Sequence, residues 1–166
     1  SLGLVGSEMC IRDRDNGKLI RELRKVVGRK YVFTDILNKE PFSKGWRYGE
    51  GNALAVIKPG ILIELWNVLK ICVKEEMIII MQAANTGLTG GSTPYGIGYD
   101  RPIIIINTMR IDHIHIISDG NQIIGLAGST LYDLEKKLKP VGREPHSVIG
   151  STSIGAVSYT HLTLPT

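Results

Sequence analysis

The chain has 166 residues and a formal net charge of +4, and 43% of its residues are hydrophobic and 22% charged. This length and composition are those of about one globular domain and exclude a disordered or fibrous protein. No apolar run approaches the roughly 20 residues of a membrane span, and the basic residues are mixed with acidic ones rather than gathered into a nucleic-acid-binding stripe. We therefore expect no transmembrane segment and no nucleic-acid partner. The two cysteines form no disulfide framework, which favours a reduced, cytoplasmic setting.

The two ends of the chain differ from the rest. Residues 1–14 and 157–166 look like translated read-through of a sequencing adapter, so we interpret both as non-native flanks and leave them out of the fold. The N-terminal flank also lacks the basic and apolar segments of a secretion signal. The partial domain expected from the sequence is residues 15–156.

The first predicted elements are a helix and a loop. Apolar residues recur at helical spacing over residues 17–27 and predict an amphipathic helix that ends at Gly28. Residues 29–51 contain several glycines and aromatic residues and predict a loop held by its aromatic side chains. Trp46 and Tyr48 in this loop could stack on a bound ring, but anchoring of the loop is the favoured interpretation.

A strand, a helix and a second strand are predicted next. Short apolar runs at residues 53–57 and 77–81 predict buried strands, and residues 62–76 between them have helical spacing. This order implies a parallel pair of strands joined by a right-handed crossover. Cys72 is interpreted as a core residue rather than a reactive thiol. The predicted buried face of the helix consists of Leu62, Leu65, Trp66, Leu69 and Val73.

A run of small and uncharged residues, 82–94, follows the second strand. Such a loop leaves main-chain N–H groups uncovered and able to converge on an anion, and its glycines let a ligand approach the backbone closely. The loop therefore predicts a cradle for a diphosphate at the carboxyl end of the strand, where ligands of α/β sheets bind. The side chains that could add hydrogen bonds are Asn85, Thr86, Thr89, Ser92 and Thr93.

Two common phosphate-binding motifs are missing from this region. The P-loop requires a lysine after its second glycine, and no lysine lies between Glu76 and Arg101. The dinucleotide fingerprint would begin at Gly96 and Gly98, but Arg101 stands where its third glycine should be. Neither a P-loop nucleotidase nor a Rossmann domain is indicated.

The remaining elements are a strand, a hairpin and a helix. Residues 103–106 predict a third buried strand, and residues 112–117 and 122–127 predict a hairpin with a glycine-containing turn. Residues 131–138 predict a helix that is capped by residues 128–130 and ends before a proline.

Two histidines on the predicted hairpin have a spacing that metals can use. His113 and His115 are two residues apart on one strand, but the sequence places no cysteine, glutamate or third histidine beside them. We interpret them as part of an exposed strand face and predict no metal site.

Four ordered blocks of the sequence, at residues 49–56, 65–70, 82–89 and 142–150, resemble a known family. Residues 81–91 are similar to the pyrophosphate-binding loop of the vanillyl-alcohol-oxidase (PCMH) type of flavoprotein. The four blocks together are similar to the bacterial quinone-dependent D-lactate dehydrogenases. The resemblance implies an α+β, PCMH-type FAD-binding domain, in which a small parallel β-α-β unit is followed by a mixed or antiparallel sheet with helices, here truncated. The most specific blocks are Gln82-Ala83-Ala84-Asn85-Thr86-Gly87-Leu88-Thr89 and Gly142-Arg143-Glu144-Pro145-His146-Ser147-Val148-Ile149-Gly150.

The resemblance also implies a cofactor and the residues that hold it. FAD would be bound non-covalently by backbone groups from two glycine-rich segments. Gly90 stands where the family carries an acid, and losing a negative charge beside a diphosphate should not weaken binding. Val157 stands where the family has a small hydroxyl residue that touches the cofactor. The cofactor-binding residues carried over from the family are Ala83, Ala84, Asn85, Thr86, Gly87, Gly91, Ser92 and Gly150.

The parent protein implied by the resemblance oxidises D-lactate to pyruvate and passes electrons to a membrane quinone, as a peripheral protein on the cytoplasmic side of the inner membrane. In the family the substrate-binding groups come from a later domain, so the sequence identifies no catalytic residue. His146 could act as a general base, but we interpret it as a structural histidine in a turn after Pro145. The 166-residue chain itself is expected to have no D-lactate oxidation activity and at best weak FAD binding.

Two alternatives stay open from the sequence. One is the FAD-binding domain of another 2-hydroxy-acid oxidase or dehydrogenase, or of a related flavoprotein such as a glycolate oxidase subunit or a cell-wall reductase. The other is a non-enzymatic module that binds a nucleotide or phosphate.

Overall fold

A four-stranded sheet forms the centre of the computed structural model, which describes residues 16–145. Its strands in chain order are β1 (Val32–Phe33), β2 (Ala55–Ile57), β3 (Ile78–Gln82) and β4 (Ile103–Asn107). A separate two-stranded sheet is formed by β5 (Ile114–Ile117) and β6 (Gln122–Gly125). The helices are α1 (residues 16–27), α2 (Ile36–Ser43), α3 (Leu62–Lys74) and α4 (Leu131–Leu138). Short 3-10 segments lie at Arg29–Tyr31, Ser118–Gly120 and Lys139–Val141.

The strand order of the larger sheet is β1-β2-β4-β3. β1 pairs antiparallel with β2, whereas β4 pairs parallel with both β2 and β3. The prediction that β2 and β3 run parallel is confirmed, but the prediction that they pair directly is wrong, because β4 lies between them. All residues of β4 are buried, as expected of an apolar strand that is paired on both edges and covered on both faces. The right-handed sense of the crossover stays a prediction.

The two faces of β4 contribute to two different cores. Ile104 and Ile106 pack with α1 and α3 on one face, around the fully buried Leu23 and Val68. Successive side chains of a strand point to opposite faces. Ile103 and Ile105 therefore lie on the other face, together with Val56 and with Phe33 and Phe42.

The predicted first helix and its stop signal are confirmed. Residues 16–27 are helical, and the N–H of Gly28 donates to the Arg24 carbonyl at 3.0 Å. Gly28 has a φ of 87°, a left-handed conformation that glycine adopts without steric cost.

The prediction of a loop over residues 29–51 is wrong, because this segment contains β1 and α2. Asp35 caps α2 by accepting a hydrogen bond from the N–H of Asn38 at 2.9 Å. Neither Trp46 nor Tyr48 anchors the segment, since the two residues are 80% and 63% exposed. The aromatic rings of Phe33 and Phe42 pack together with centroids 5.8 Å apart, and Tyr31 packs against the core on the other face of the sheet.

The helix between β2 and β3 is confirmed, but its predicted buried face is partly wrong. The fully buried residues of α3 are Val68 and Cys72, and Leu65 and Leu69 are half-buried beside them. Cys72 is a core residue, as predicted. The residues of the predicted face that are exposed are Leu62, Trp66 and Val73.

The elements after β4 agree with the sequence. β5 and β6 form the predicted hairpin, and Thr130 caps α4 by accepting a hydrogen bond from the Asp133 N–H at 3.1 Å. The predicted leucines of α4 pack on Ile114 of β5. Within residues 16–145 no helix is both long and apolar enough to cross a membrane.

Candidate functional site

The chain connects β3 to β4 through residues 83–102, which we call the β3–β4 loop. Parallel strands are usually connected through a helix, but this loop contains no helical segment. A long connection without secondary structure inside a folded domain is commonly functional. The loop begins at the carboxyl end of β3, where the sequence predicted a ligand site.

The first half of the loop has uncommitted hydrogen-bond donors. Within residues 16–145, the main-chain N–H groups of residues 83–92 donate to no backbone or side-chain acceptor. The segment is half-buried or exposed and carries no charged side chain. Uncovered N–H groups in an uncharged loop form the kind of concavity that binds anions.

The base of the loop contains two buried amide side chains. Gln82 and Asn107 end the adjacent strands β3 and β4, are partners in the strand register, and are each 2% exposed. The Gln82 Nε2 donates to the carbonyls of Phe42 and Ser92, both at 2.8 Å. The Asn107 Nδ2 donates to Gln82 Oε1 at 3.2 Å and to the Ala83 carbonyl at 2.9 Å. Both ends of the segment 83–92 are therefore tied to the sheet.

Two predicted ligand-binding side chains are engaged within the protein. The Ser92 hydroxyl donates to Asn85 Oδ1 at 2.8 Å, and the Asn85 Nδ2 donates to the Lys44 carbonyl at 2.9 Å. Asn85 also has a left-handed backbone with φ 56°. These contacts shape the loop, and its main-chain N–H groups remain the candidate ligand-binding groups.

A tight turn at residues 44–50 forms a second wall beside the loop. Lys44 and Glu50 form an antiparallel bridge, and the N–H of Gly45 donates to the Gly49 carbonyl at 2.7 Å. The turn packs closely on the loop, since a Cβ added at Gly90 would lie 3.1 Å from the Tyr48 carbonyl oxygen. Its tip, residues 46–48, is exposed.

A buried lysine holds α2, the helix that contacts the site, in place. Lys39 of α2 is buried, and its Nζ donates to the Ala53 carbonyl at 2.5 Å and to Asn52 Oδ1 at 3.4 Å. Burial lowers the pKa of Lys39, and the carboxylate of Asp35 partly opposes this shift. The lysine holds α2 against the start of β2, and α2 carries the Phe42 carbonyl that accepts from Gln82.

The structure brings most of the predicted cofactor-binding residues together on one short segment. Gly150 and His146 lie outside the described residues. The roles of Gln82 and Asn107 were not predicted, although each is a polar residue at the end of an apolar run. The predicted residues that share the segment are Ala83, Ala84, Asn85, Thr86, Gly87, Gly91 and Ser92.

The histidines of the hairpin lie away from these contacts. His113 and His115 are exposed, and their ring centroids are 6.4 Å apart. Among the described residues, no group of three histidine, cysteine, aspartate or glutamate side chains is placed to hold a metal ion.

Three curated relatives that are 51–58% identical to the chain share one description. The quinone-dependent D-lactate dehydrogenase of Haemophilus influenzae is 58% identical over 139 residues, which cover 84% of this chain and 25% of that protein. The Escherichia coli protein of the same description is 55% identical over 142 residues, covering 86% of this chain and 25% of the relative. The chain thus spans about a quarter of the length of these relatives. No protein-family model matches the chain.

Several solved structures are similar in fold to this chain over about three quarters of its length. Alkyldihydroxyacetonephosphate synthase aligns with a TM-score of 0.68 at 16% identity, over 76% of this chain and 25% of that chain. p-Cresol methylhydroxylase with substrate bound aligns with a TM-score of 0.63 at 16% identity and the same coverage. At these identities the likeness concerns the fold. The chain therefore has the fold of the vanillyl-alcohol-oxidase (PCMH) type of FAD-binding domain, and its sequence matches about a quarter of the length of quinone-dependent D-lactate dehydrogenases at 51–58% identity.

Proposed function

We propose that the β3–β4 loop binds the diphosphate of a non-covalently held FAD, and that the parent protein is a respiratory flavoprotein that oxidises D-lactate to pyruvate and reduces a membrane quinone. The observation that carries the proposal is the set of main-chain N–H groups at residues 83–92 that have no acceptor within residues 16–145, on a segment without acidic residues that follows the carboxyl end of β3. Bound FAD would take up the hydride removed from the substrate. The described residues would bind and orient this group.

The side-chain contacts of the loop and the open space beside it also support the proposal. Asn85 and Ser92 use their side chains on each other, so the loop is held in shape before a ligand arrives. A Cβ added at Gly87 would meet no atom within 4 Å, which leaves room for a ligand beside the backbone. Gly150 stays a predicted contact at the flavin end of the cofactor.

We test the site with a pair of charge substitutions at open glycines. Gly87 and Gly98 are both exposed, both have free space around an added Cβ, and neither has a positive φ. Gly87→Asp places a carboxylate among the N–H groups that are proposed to bind the phosphates, whereas Gly98→Asp makes the same charge change outside this segment. We expect Gly87→Asp to weaken FAD binding on the order of tenfold, because repulsion of about 1.4 kcal/mol corresponds to a factor of ten, and Gly98→Asp to change it less than twofold.

The measurement is a flavin-fluorescence titration of the 166-residue chain, repeated on a chimera in which residues 15–156 replace the matching segment of the Escherichia coli relative. Equal weakening by the two substitutions would remove the support for a diphosphate site at residues 83–92. Thermal-shift comparison of FAD with adenine nucleotides tests selectivity, since a general nucleotide-binding module would respond to both.

The proposed activity belongs to the parent protein and not to this chain alone. We expect the chimera to reduce an artificial dye with D-lactate and the isolated chain to show no such activity, because the chain spans about a quarter of its relatives. D-lactate-dependent dye reduction by the isolated chain would contradict this expectation.

We also propose that residues 1–14 and 157–166 are non-native flanks of a partial domain at residues 15–156. The matched segments of the relatives are 139 and 142 residues long, close to the length of residues 15–156. Deleting both flanks should leave the unfolding curve unchanged, and a loss of cooperative unfolding would contradict this assignment.

A further inference from the structure

The buried amide of Gln82 is an unusual end for a strand that is otherwise apolar. A buried polar group destabilises a fold unless its hydrogen bonds are satisfied. Both donor hydrogens of Gln82 Nε2 have a carbonyl acceptor at 2.8 Å, and Oε1 accepts from Asn107. Both donor hydrogens and the carbonyl oxygen of the side chain therefore have hydrogen-bond partners. These contacts explain why a polar side chain is buried at this position.

The partners of Gln82 belong to three segments that are far apart in the sequence. Phe42 lies on α2, Ser92 is in the β3–β4 loop, and Asn107 ends β4. Asn107 adds a bond to the Ala83 carbonyl at 2.9 Å. The first and last residues of the segment 83–92 are thus held by one amide pair.

These contacts also set the direction of the first N–H groups of the loop. In a trans peptide the C=O of one residue and the N–H of the next point in opposite directions. The Gln82 carbonyl accepts from the Thr108 N–H at 2.8 Å, and the Ala83 carbonyl accepts from Asn107 at the end of β4. The N–H groups of Ala83 and Ala84 are therefore turned away from β4, and neither has an acceptor among residues 16–145.

We propose that Gln82 is a positioning residue of the diphosphate site, which fixes the segment 83–92 in its anion-binding conformation before the ligand binds. This inference rests on the proposed function, since it assigns a role in FAD binding to a residue that does not touch the cofactor. A loop that is ordered in advance binds more tightly, because less conformational freedom is lost on binding.

The test compares two variants that both remove buried contacts. Gln82→Met keeps the size of the side chain and removes both donors, whereas Val68→Ala removes buried methyl groups from the hydrophobic cluster on the α3 side of the sheet, which includes no residue of the loop. The first measurement is amide hydrogen exchange of residues 83–92 in the ligand-free chain. The second is FAD affinity in the 166-residue chain and in the chimera, with the phosphorus NMR signals of bound FAD recorded for each variant.

We expect Gln82→Met to raise exchange in residues 83–92 at least tenfold, to weaken FAD binding about tenfold, and to move the diphosphate signals while the visible flavin spectrum is unchanged. Val68→Ala should lower thermal stability without these changes. Unchanged exchange and affinity in Gln82→Met would overturn the inference. If the original chain and the chimera bind no FAD, the proposed function fails, and the exchange measurement still decides whether Gln82 holds the loop. If Gln82→Met does not fold, Asn107→Ala replaces it in the same measurements. We then expect smaller changes in amide exchange and FAD affinity in the same direction, and the absence of both changes would overturn the inference.

Discussion

Replacing Gly49 by alanine should destabilise the turn that packs on the β3–β4 loop. Gly49 has a φ of 90°, and a Cβ at this position would overlap Thr93 Oγ1 and lie 3.3 Å from the Gly90 Cα. A left-handed backbone costs a residue other than glycine about 1–2 kcal/mol, and forcing a methyl group into packed surroundings costs roughly 1–3 kcal/mol. The free energy of unfolding should fall by about 2–5 kcal/mol, which lowers the melting temperature on the order of 10 °C for a chain of this size.

Two further variants separate the steric cost from the backbone cost. Gly96 has a φ of 72°, but an added Cβ there meets no atom within 4 Å, so Gly96→Ala should show the backbone cost of about 1–2 kcal/mol alone. Adding Thr93→Ala to Gly49→Ala removes the overlapping hydroxyl and should recover part of the lost stability. The measurement is urea unfolding followed by circular dichroism. Equal losses in Gly49→Ala and Gly96→Ala would refute the close packing of the turn on the loop.

Two other predictions concern the core and the last helix. Burial raises the pKa of the Cys72 thiol from 9.0 to about 11, so its stabilising contribution is complete below about pH 9 and is lost as the pH rises towards about 11, by on the order of 2–3 kcal/mol. The free energy of unfolding, measured against pH in a Cys10→Ser background, should show this loss. Adding Cys72→Ala should remove the loss, and the same decrease at alkaline pH in both proteins would show that the Cys72 thiol is not its cause. Thr130→Ala should lower the free energy of unfolding by about 1 kcal/mol because α4 loses its cap, whereas Thr130→Ser keeps the hydroxyl, and equal losses in the two variants would show that capping is not the cause.

Most helices and strands could be predicted because their signals are local. The apolar spacing of α1 and α4 and the continuous isoleucines of β4 identify them without knowledge of the fold. α2 was missed because it lacks this spacing: Ile36 and Leu37 are exposed, and Pro41 lies inside the helix. The capping contact at its start was the remaining local signal.

The strand order could not be predicted from local patterns. β2, β3 and β4 are all apolar, and the pairing of β4 with both β2 and β3 arises only in the assembled sheet. The prediction of the buried face of α3 was partly wrong for a related reason. Packing of the helix on the sheet buries Val68 and Cys72 and leaves Trp66 exposed.

The loop of the candidate site could be predicted from the sequence, but the side-chain contacts that shape it could not. The composition of residues 82–94 identified the loop, and its position after β3 is confirmed. The contacts that shape it join residues far apart in sequence, as between Gln82 and the Phe42 carbonyl and between Asn85 and the Lys44 carbonyl. Such pairings depend on the assembled sheet and leave no periodic signal in the sequence.

The central position of β4 has a consequence for protein synthesis. While a chain that has emerged from the ribosome stops short of residue 103, β2 and β3 have no strand between them and expose edges that can pair with other chains. The arrival of residues 103–107 closes these edges and delivers Asn107 to Gln82 in the same step. Protection of the nascent chain from aggregation and the contact that holds the β3–β4 loop are thus acquired together.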